Sequence, residues 1–101
     1  MDSSLKLLGL MYRANKLLIG QEVLDNLKDC KLLIIASDTS DKNKERYLKK
    51  CDFYKLRHVD NFTCEQLSNS LGKNNVKLLG IIDDGFVKSF LAKIKEDINN
   101  G

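Results

Sequence analysis

The sequence predicts an α/β protein, a three-layer α/β/α sandwich with helices on both faces of a four-stranded mixed sheet. Two observations carry that reading and the length bounds it. Leu32–Ala36 (LLIIA) and Val76–Ile82 (VKLLGII) are largely apolar runs without the alternation of a half-exposed strand, so both faces of each need cover. The stretches around them repeat their apolar residues at helical spacing, so helix and strand alternate four times and a last helix follows. A chain of 101 residues, 43% apolar and 31% charged, is one domain over residues 1–101 with a single core.

Taken in order, Ser3 or Ser4 caps a first helix that reaches about Ala14 and turns Leu5, Leu8, Met11 and Tyr12 inward. Asn15 ends it, and Leu17-Leu18-Ile19 forms a short strand leading into Gly20. From there a second helix covers Gln21 to Asp29, with Val23, Leu24 and Leu27 on one stripe. The central strand, Lys31 to Ser37, follows directly. Ser40 or Asp41 caps a charged third helix that buries Tyr47, Leu48 and Cys51, while Lys42, Lys44, Glu45, Arg46, Lys49 and Lys50 form a solvated face. Lys55–Asp60 is a less apolar strand, which belongs near an edge. Thr63 and Gln66 have the spacing of a capping box for a helix that buries Cys64, Leu67 and Leu71 and stops at Gly72. Past the Asn74-Asn75 turn and the Val76–Ile82 strand, Asp83 or Asp84 caps the last helix. Its Phe86, Phe90, Ile94 and Ile98 recur every fourth residue, joined by Val87 and Leu91.

Several function classes fall away. No apolar run approaches the roughly 18–20 residues of a membrane span, so no membrane association is expected. The N-terminus has an acid at its second position and no small-residue cleavage site, unlike a secretory signal. Cys30, Cys51 and Cys64 are odd in number and make no C-x-x-C pair, which suits buried thiols in a cytoplasmic protein. With one histidine and scattered cysteines, neither a metal cluster nor a cofactor is expected. There is no Walker loop, no G-x-G-x-x-G, no G-x-S-x-G and no H-E-x-x-H, and no nucleophile, base and oxyanion donor assemble. Asp83-Asp84 and Asp38 are acids at strand ends, and His58 is a candidate general base or a stack for an RNA base. Helix capping by Asp83 or Asp84 and a structural histidine are the simpler readings, and Asp38 has no assignable partner. The net charge of +3 is mildly basic and compatible with RNA or acidic partners.

Residue chemistry alone stops there, and resemblance adds the rest. LLGLMYRANKLLIGQEVLDNL, LLIIASDTS, KCDFYKL, FTCEQLSNSLGK and GIIDDGFVKSFL together resemble the bacterial YlxQ-type branch of the ribosomal kink-turn-binding family, from about Leu5 to Ile94. The resemblance implies a non-catalytic, monomeric, cytoplasmic protein that binds structured RNA (ribosomal or kink-turn-like) in association with the ribosome or translation factors. The family reads sheared G·A pairs through a G-x-N-E motif entering the second helix. Here that motif is Gly20-Gln21-Glu22-Val23, and a family lysine falls on Asn26. A second family loop, with a V-P-hydrophobic signature, corresponds to Leu56-Arg57-His58-Val59. Ionised Glu22 only accepts hydrogen bonds where asparagine would both donate and accept, and Val23 accepts none, so base reading should differ from that of the ribosomal members. Arg13, Lys16 and Arg57 are expected to supply phosphate contacts instead. The alternative is a protein-interaction module that docks through the third helix without reading RNA.

Overall fold

The computed structural model describes residues 3–100. Five helices and four strands alternate: α1 (Ser3–Arg13), β1 (Leu17–Ile19), α2 (Gln21–Asp25), β2 (Leu32–Ile35), α3 (Asp41–Tyr54), β3 (Arg57–Val59), α4 (Cys64–Leu71), β4 (Leu78–Ile81) and α5 (Asp84–Asn100). The strand order is β1-β4-β2-β3. β4 runs antiparallel to both neighbours and β2 pairs parallel with β3, so β1, β2 and β3 point one way and β4 the other. The sheet is mixed, as the sequence predicts.

The two apolar runs occupy the interior positions, and all four residues of β2 and of β4 are buried. Strand alternation divides them between two cores. Leu32, Ile34, Leu79 and Ile81 meet Leu8 and Met11 of α1, Leu67 and Leu71 of α4, and Val87 and Phe90 of α5. Leu33, Ile35 and Leu78 meet Val23 of α2, Cys51 of α3, and Leu27 and Cys30 of the link into β2. Three helices therefore cover one face and two the other.

Local signals set most element ends. The Thr63 hydroxyl accepts from Gln66 N while the Gln66 side chain accepts from Thr63 N, which completes the capping box. Gly72 ends α4 in the left-handed region at φ 65°. Asp83 Oδ2 accepts from Phe86 N at 2.9 Å, so that carboxylate caps α5. Ser40 Oγ accepts from Asn43 N at the start of α3. Asn15 takes φ 59° beyond α1, a conformation asparagine tolerates better than most residues.

The expected boundaries need correction in several places. The second helix lasts only to Asp25. Asn26 leaves helical geometry at φ −133°, its side-chain amide donates to the Glu22 carbonyl, and Leu27–Asp29 follow as one 3₁₀ turn. Ser3 and Ser4 lie inside α1, where both hydroxyls donate to the Asp97 carboxylate of α5. Leu48 is 37% exposed and Ile98 65% exposed, so neither is a core residue. Cys64 is half-buried, whereas Cys30 and Cys51 are enclosed.

Enclosure alters those two thiols. Burial, and then the neighbouring Asp29, push the Cys30 pKa from 9.0 up to about 11. Burial first and Asp52 second also raise that of Cys51, partly offset by a backbone hydrogen bond. The folded chain holds these protons more tightly than the unfolded one. Stability is therefore full below pH 9 and declines as the pH climbs from 9 towards about 11. Urea unfolding at pH 8 and at pH 10.5 measures the loss, and Cys30→Ala should shrink it. An unchanged loss in that variant would assign the effect to other groups.

Candidate functional site

Because β1, β2 and β3 point the same way, their carboxyl ends gather at one end of the sheet together with the start of β4. Gly20 stands there. It turns the chain from β1 into α2 at φ 62° and ψ −124°, the conformation of the first central position of a type II′ turn and one that glycine alone adopts readily. Its N–H donates to the Leu78 carbonyl at 2.9 Å and its carbonyl accepts from Val23 N at 3.0 Å. A β-carbon at Gly20 would meet no other atom within 4 Å. Backbone geometry therefore demands the glycine, and the space outside it is open.

Gln21 and Glu22 follow, both exposed. Gln21 Nε2 donates to Asp25 Oδ1 at 3.0 Å, which lays its side chain along the helix. The same end of the sheet carries the turn from β2 into α3. Asp38 Oδ1 there accepts from Cys64 N at 2.9 Å and Ser37 N donates to the Phe62 carbonyl at 2.8 Å. Asp38 thus braces the start of α4. Lys44 reaches Asp60 at 3.9 Å and the Ser37 carbonyl at 3.5 Å. Glu22, Asp38 and Asp60 stand there with Lys44 and the exposed Lys77, whose carbonyl accepts from Ala36 N, so this end carries mixed charge rather than a cationic surface.

Most of the expected cations lie elsewhere. Lys16 precedes β1, and its carbonyl accepts from Ile82 N at the opposite end of the sheet. Arg57 pairs in register with Leu32, the first residue of β2, and so belongs to that opposite end too. Strand spacing and rise place its backbone about 17 Å from Gly20. Arg13 closes α1 just before Lys16. Asn26, at the far end of α2, lines a groove with Lys28 and Lys31.

The second expected loop is not a loop. Leu56 N donates to the Cys51 carbonyl, which finishes α3 with Lys55 at φ 55°, and Arg57–Val59 is edge strand β3. The residues alternate across the sheet. Leu56 packs beneath α3, where His58 lines the same open groove, while Val59 joins the opposite core and Arg57 shares its face. No single surface presents Arg57 and His58 side by side.

The nine expected residues therefore fall into two groups. Gly20, Gln21 and Glu22 form a turn at the carboxyl end of β1. Arg13, Lys16, Asn26, Leu56, Arg57 and His58 spread over the other end and its flanks. Lys28, Lys31 and Lys55 were missed as companions of that second group. Lys16 and Lys31 each sit just before a strand and Lys55 two residues before one, a regularity that becomes a location only once the strands are known to be co-directional.

Comparison with known proteins adds a family. No protein-family model matches the chain. It is 32% identical over 91 residues to the RNA-binding protein YlxQ of Enterococcus faecium, covering 86% of each chain. To the RNA-binding protein YlxQ of Bacillus subtilis (strain 168) it is 27% identical over 89 residues, 85% of this chain and 89% of that one. A solved protein of unknown function from Bacillus halodurans C superposes with a TM-score of 0.82 at 30% identity, covering 94% of this chain and 99% of the other. The Giardia lamblia 15.5kD RNA binding protein superposes at 0.71 with 17% identity over 91% and 82%, a likeness of fold. With 86% of the chain aligned at 32% identity to the Enterococcus faecium protein, the chain belongs to the family of the RNA-binding protein YlxQ.

Proposed function

We propose that this protein binds structured RNA of the kink-turn type without catalysis, as a monomer, in the cytoplasm and in association with the ribosome or translation factors. The observation that carries the reading is Gly20, whose glycine-only turn opens an uncrowded stretch of backbone at the carboxyl ends of three co-directional strands. Open α/β sheets bind their ligands at that end. The curated relatives, both named RNA-binding proteins, support RNA as the ligand.

The charges divide the work. Glu22 accepts from guanine N–H donors at a base edge, while its charge, with those of Asp38 and Asp60, disfavours phosphate nearby. Arg13, Lys16 and Arg57 then serve as phosphate contacts for an RNA that spans the sheet from one end to the other. Affinity arises at one end and selectivity at the other.

The test compares a labelled kink-turn RNA with a straight duplex of matched length across a salt series. The wild-type protein should prefer the kink-turn, and Gly20→Asp should remove that preference, having put both a carboxylate and a β-carbon into the turn. Thermal melting of the variant checks that it stays folded, since the strain at such a position is about 1–3 kcal/mol. Equal binding to both RNAs by the wild type, or a preference that survives in Gly20→Asp, would overturn the reading.

A further inference from the structure

On the far side of α3 from the sheet, Lys42, Arg46, Lys49, Lys50 and Phe53 fall within an arc of about 100°. Cys51, the buried residue of α3, lies on the opposite side of the helix and fixes which way this arc faces. Four cations share it, and one carboxylate, Glu45, stands about 40° beyond its edge and pairs with Lys49 at 3.4 Å. Among the described residues, Lys42, Arg46 and Lys50 take part in no ion pair. Their side chains and Phe53 border an open groove of about 550 Å³.

Phe53 is the unusual member. It is 79% exposed, on a helix whose other aromatic residues, Tyr47 and Tyr54, are half-buried. Its contact with Tyr54 is edge-to-face, with centroids 5.0 Å apart and planes at 74°. One ring therefore keeps a face open to solvent at the end of a cationic stripe that runs about 16 Å from Lys42.

We infer that the outer face of α3 is a second RNA-contact surface, for a single-stranded segment whose phosphates follow Lys42, Arg46 and Lys50 and one of whose bases stacks on Phe53. A charged groove ending in a stacking platform is how single strands are held without base reading. A duplex offers no unstacked base to the ring. A protein partner fits less well: the cores of protein interfaces are depleted of lysine, and this stripe has a single apolar residue. The inference takes its class of ligand from the reading above, but none of its residues.

The probe is a fluorescein-labelled dodecauridylate, with anisotropy read across a salt series on the full chain. Phe53→Ala should weaken binding about tenfold and Phe53→Trp should restore it. The triple variant Lys42→Gln, Arg46→Gln, Lys50→Gln should reduce the salt slope by about 2, since each neutralised single-strand phosphate contributes about 0.7. Phe53→Ala should leave kink-turn affinity unchanged, so failure here is distinct from failure at Gly20. The proposal is overturned if dodecauridylate does not bind the wild type at 50 mM salt. It is also overturned if Phe53→Ala binds within twofold of wild type, or if Phe53→Leu binds as well as Phe53→Trp. RNA binding unmoved by every variant would leave the face to a protein partner.

Discussion

Phe90→Ala lowers the free energy of unfolding by about 3–5 kcal/mol, the range for an aromatic side chain removed from a filled core. Phe90 is fully enclosed in the larger core, its ring 6.3 Å from that of Phe62 and tilted by 55°. Phe62 belongs to the connection between β3 and α4, and its carbonyl receives Ser37 N. The cavity would therefore loosen the turn that braces the carboxyl end of the sheet as well as α5. A stability of about 5–15 kcal/mol is usual for a domain, so the loss is a large share of the whole. Ile98 is the internal control. It continues the same every-fourth-residue pattern but is 65% exposed, and Ile98→Ala should change stability by no more than about 0.5 kcal/mol. Guanidinium unfolding of the two variants side by side checks the contrast, and comparable losses would mean that the inward face of α5 is wrongly assigned.

The second large effect comes from adding one carbon. A β-carbon on Gly80 would lie 2.7 Å from Cys30 Sγ and 3.2 Å from Val23 Cγ1. Gly80 sits between Leu18 of β1 and Leu33 of β2, so the strand cannot move aside without breaking a ladder. Overpacking of this kind costs about 1–3 kcal/mol. Gly80→Ala should be destabilising by that amount, and Cys30→Ala should relieve much of it by removing the sulfur. The cycle of two single variants and the double variant should show a coupling of about 0.5–3 kcal/mol. Additive losses would place the strain at Val23 instead.

What could be read in advance follows from how local each cause is. The apolar runs of β2 and β4, the Thr63–Gln66 box, Gly72 and the Asp83 cap are each settled within a few residues, and each stands as expected. Asn26 was harder, because the Val23, Leu24 and Leu27 stripe continues through it while its side chain, bonded back to Glu22, ends the helix. Phe62 is 5% exposed but sits in a polar connection without periodicity, so nothing nearby marks it as core. The candidate site depended on topology. The glycine turn and the strand holding Arg57 and His58 are legible from the residues, and resemblance adds a role for each. That Arg57 and His58 face opposite layers at the other end of the sheet from Gly20 follows only from the pairing of β3 with β2. Phe53 fits a charged helix as a minor apolar residue, and only its exposure sets it apart.

Ser3 and Asp97 bond across 94 positions of sequence, with the Ser3 hydroxyl 2.8 Å from the Asp97 carboxylate. Helix α1 thus rests on α5, at the far end of the described residues. Until α4 and α5 are made, the buried side of α1 has no helix to pack against, and closing so long a segment carries an entropy penalty of about 4 kcal/mol. Contacts this distant in sequence slow folding more than they alter stability. Leu8 and Met11 therefore gain their helical cover only when α4 and α5 return to α1, so the larger core depends on long-range closure rather than on neighbouring elements.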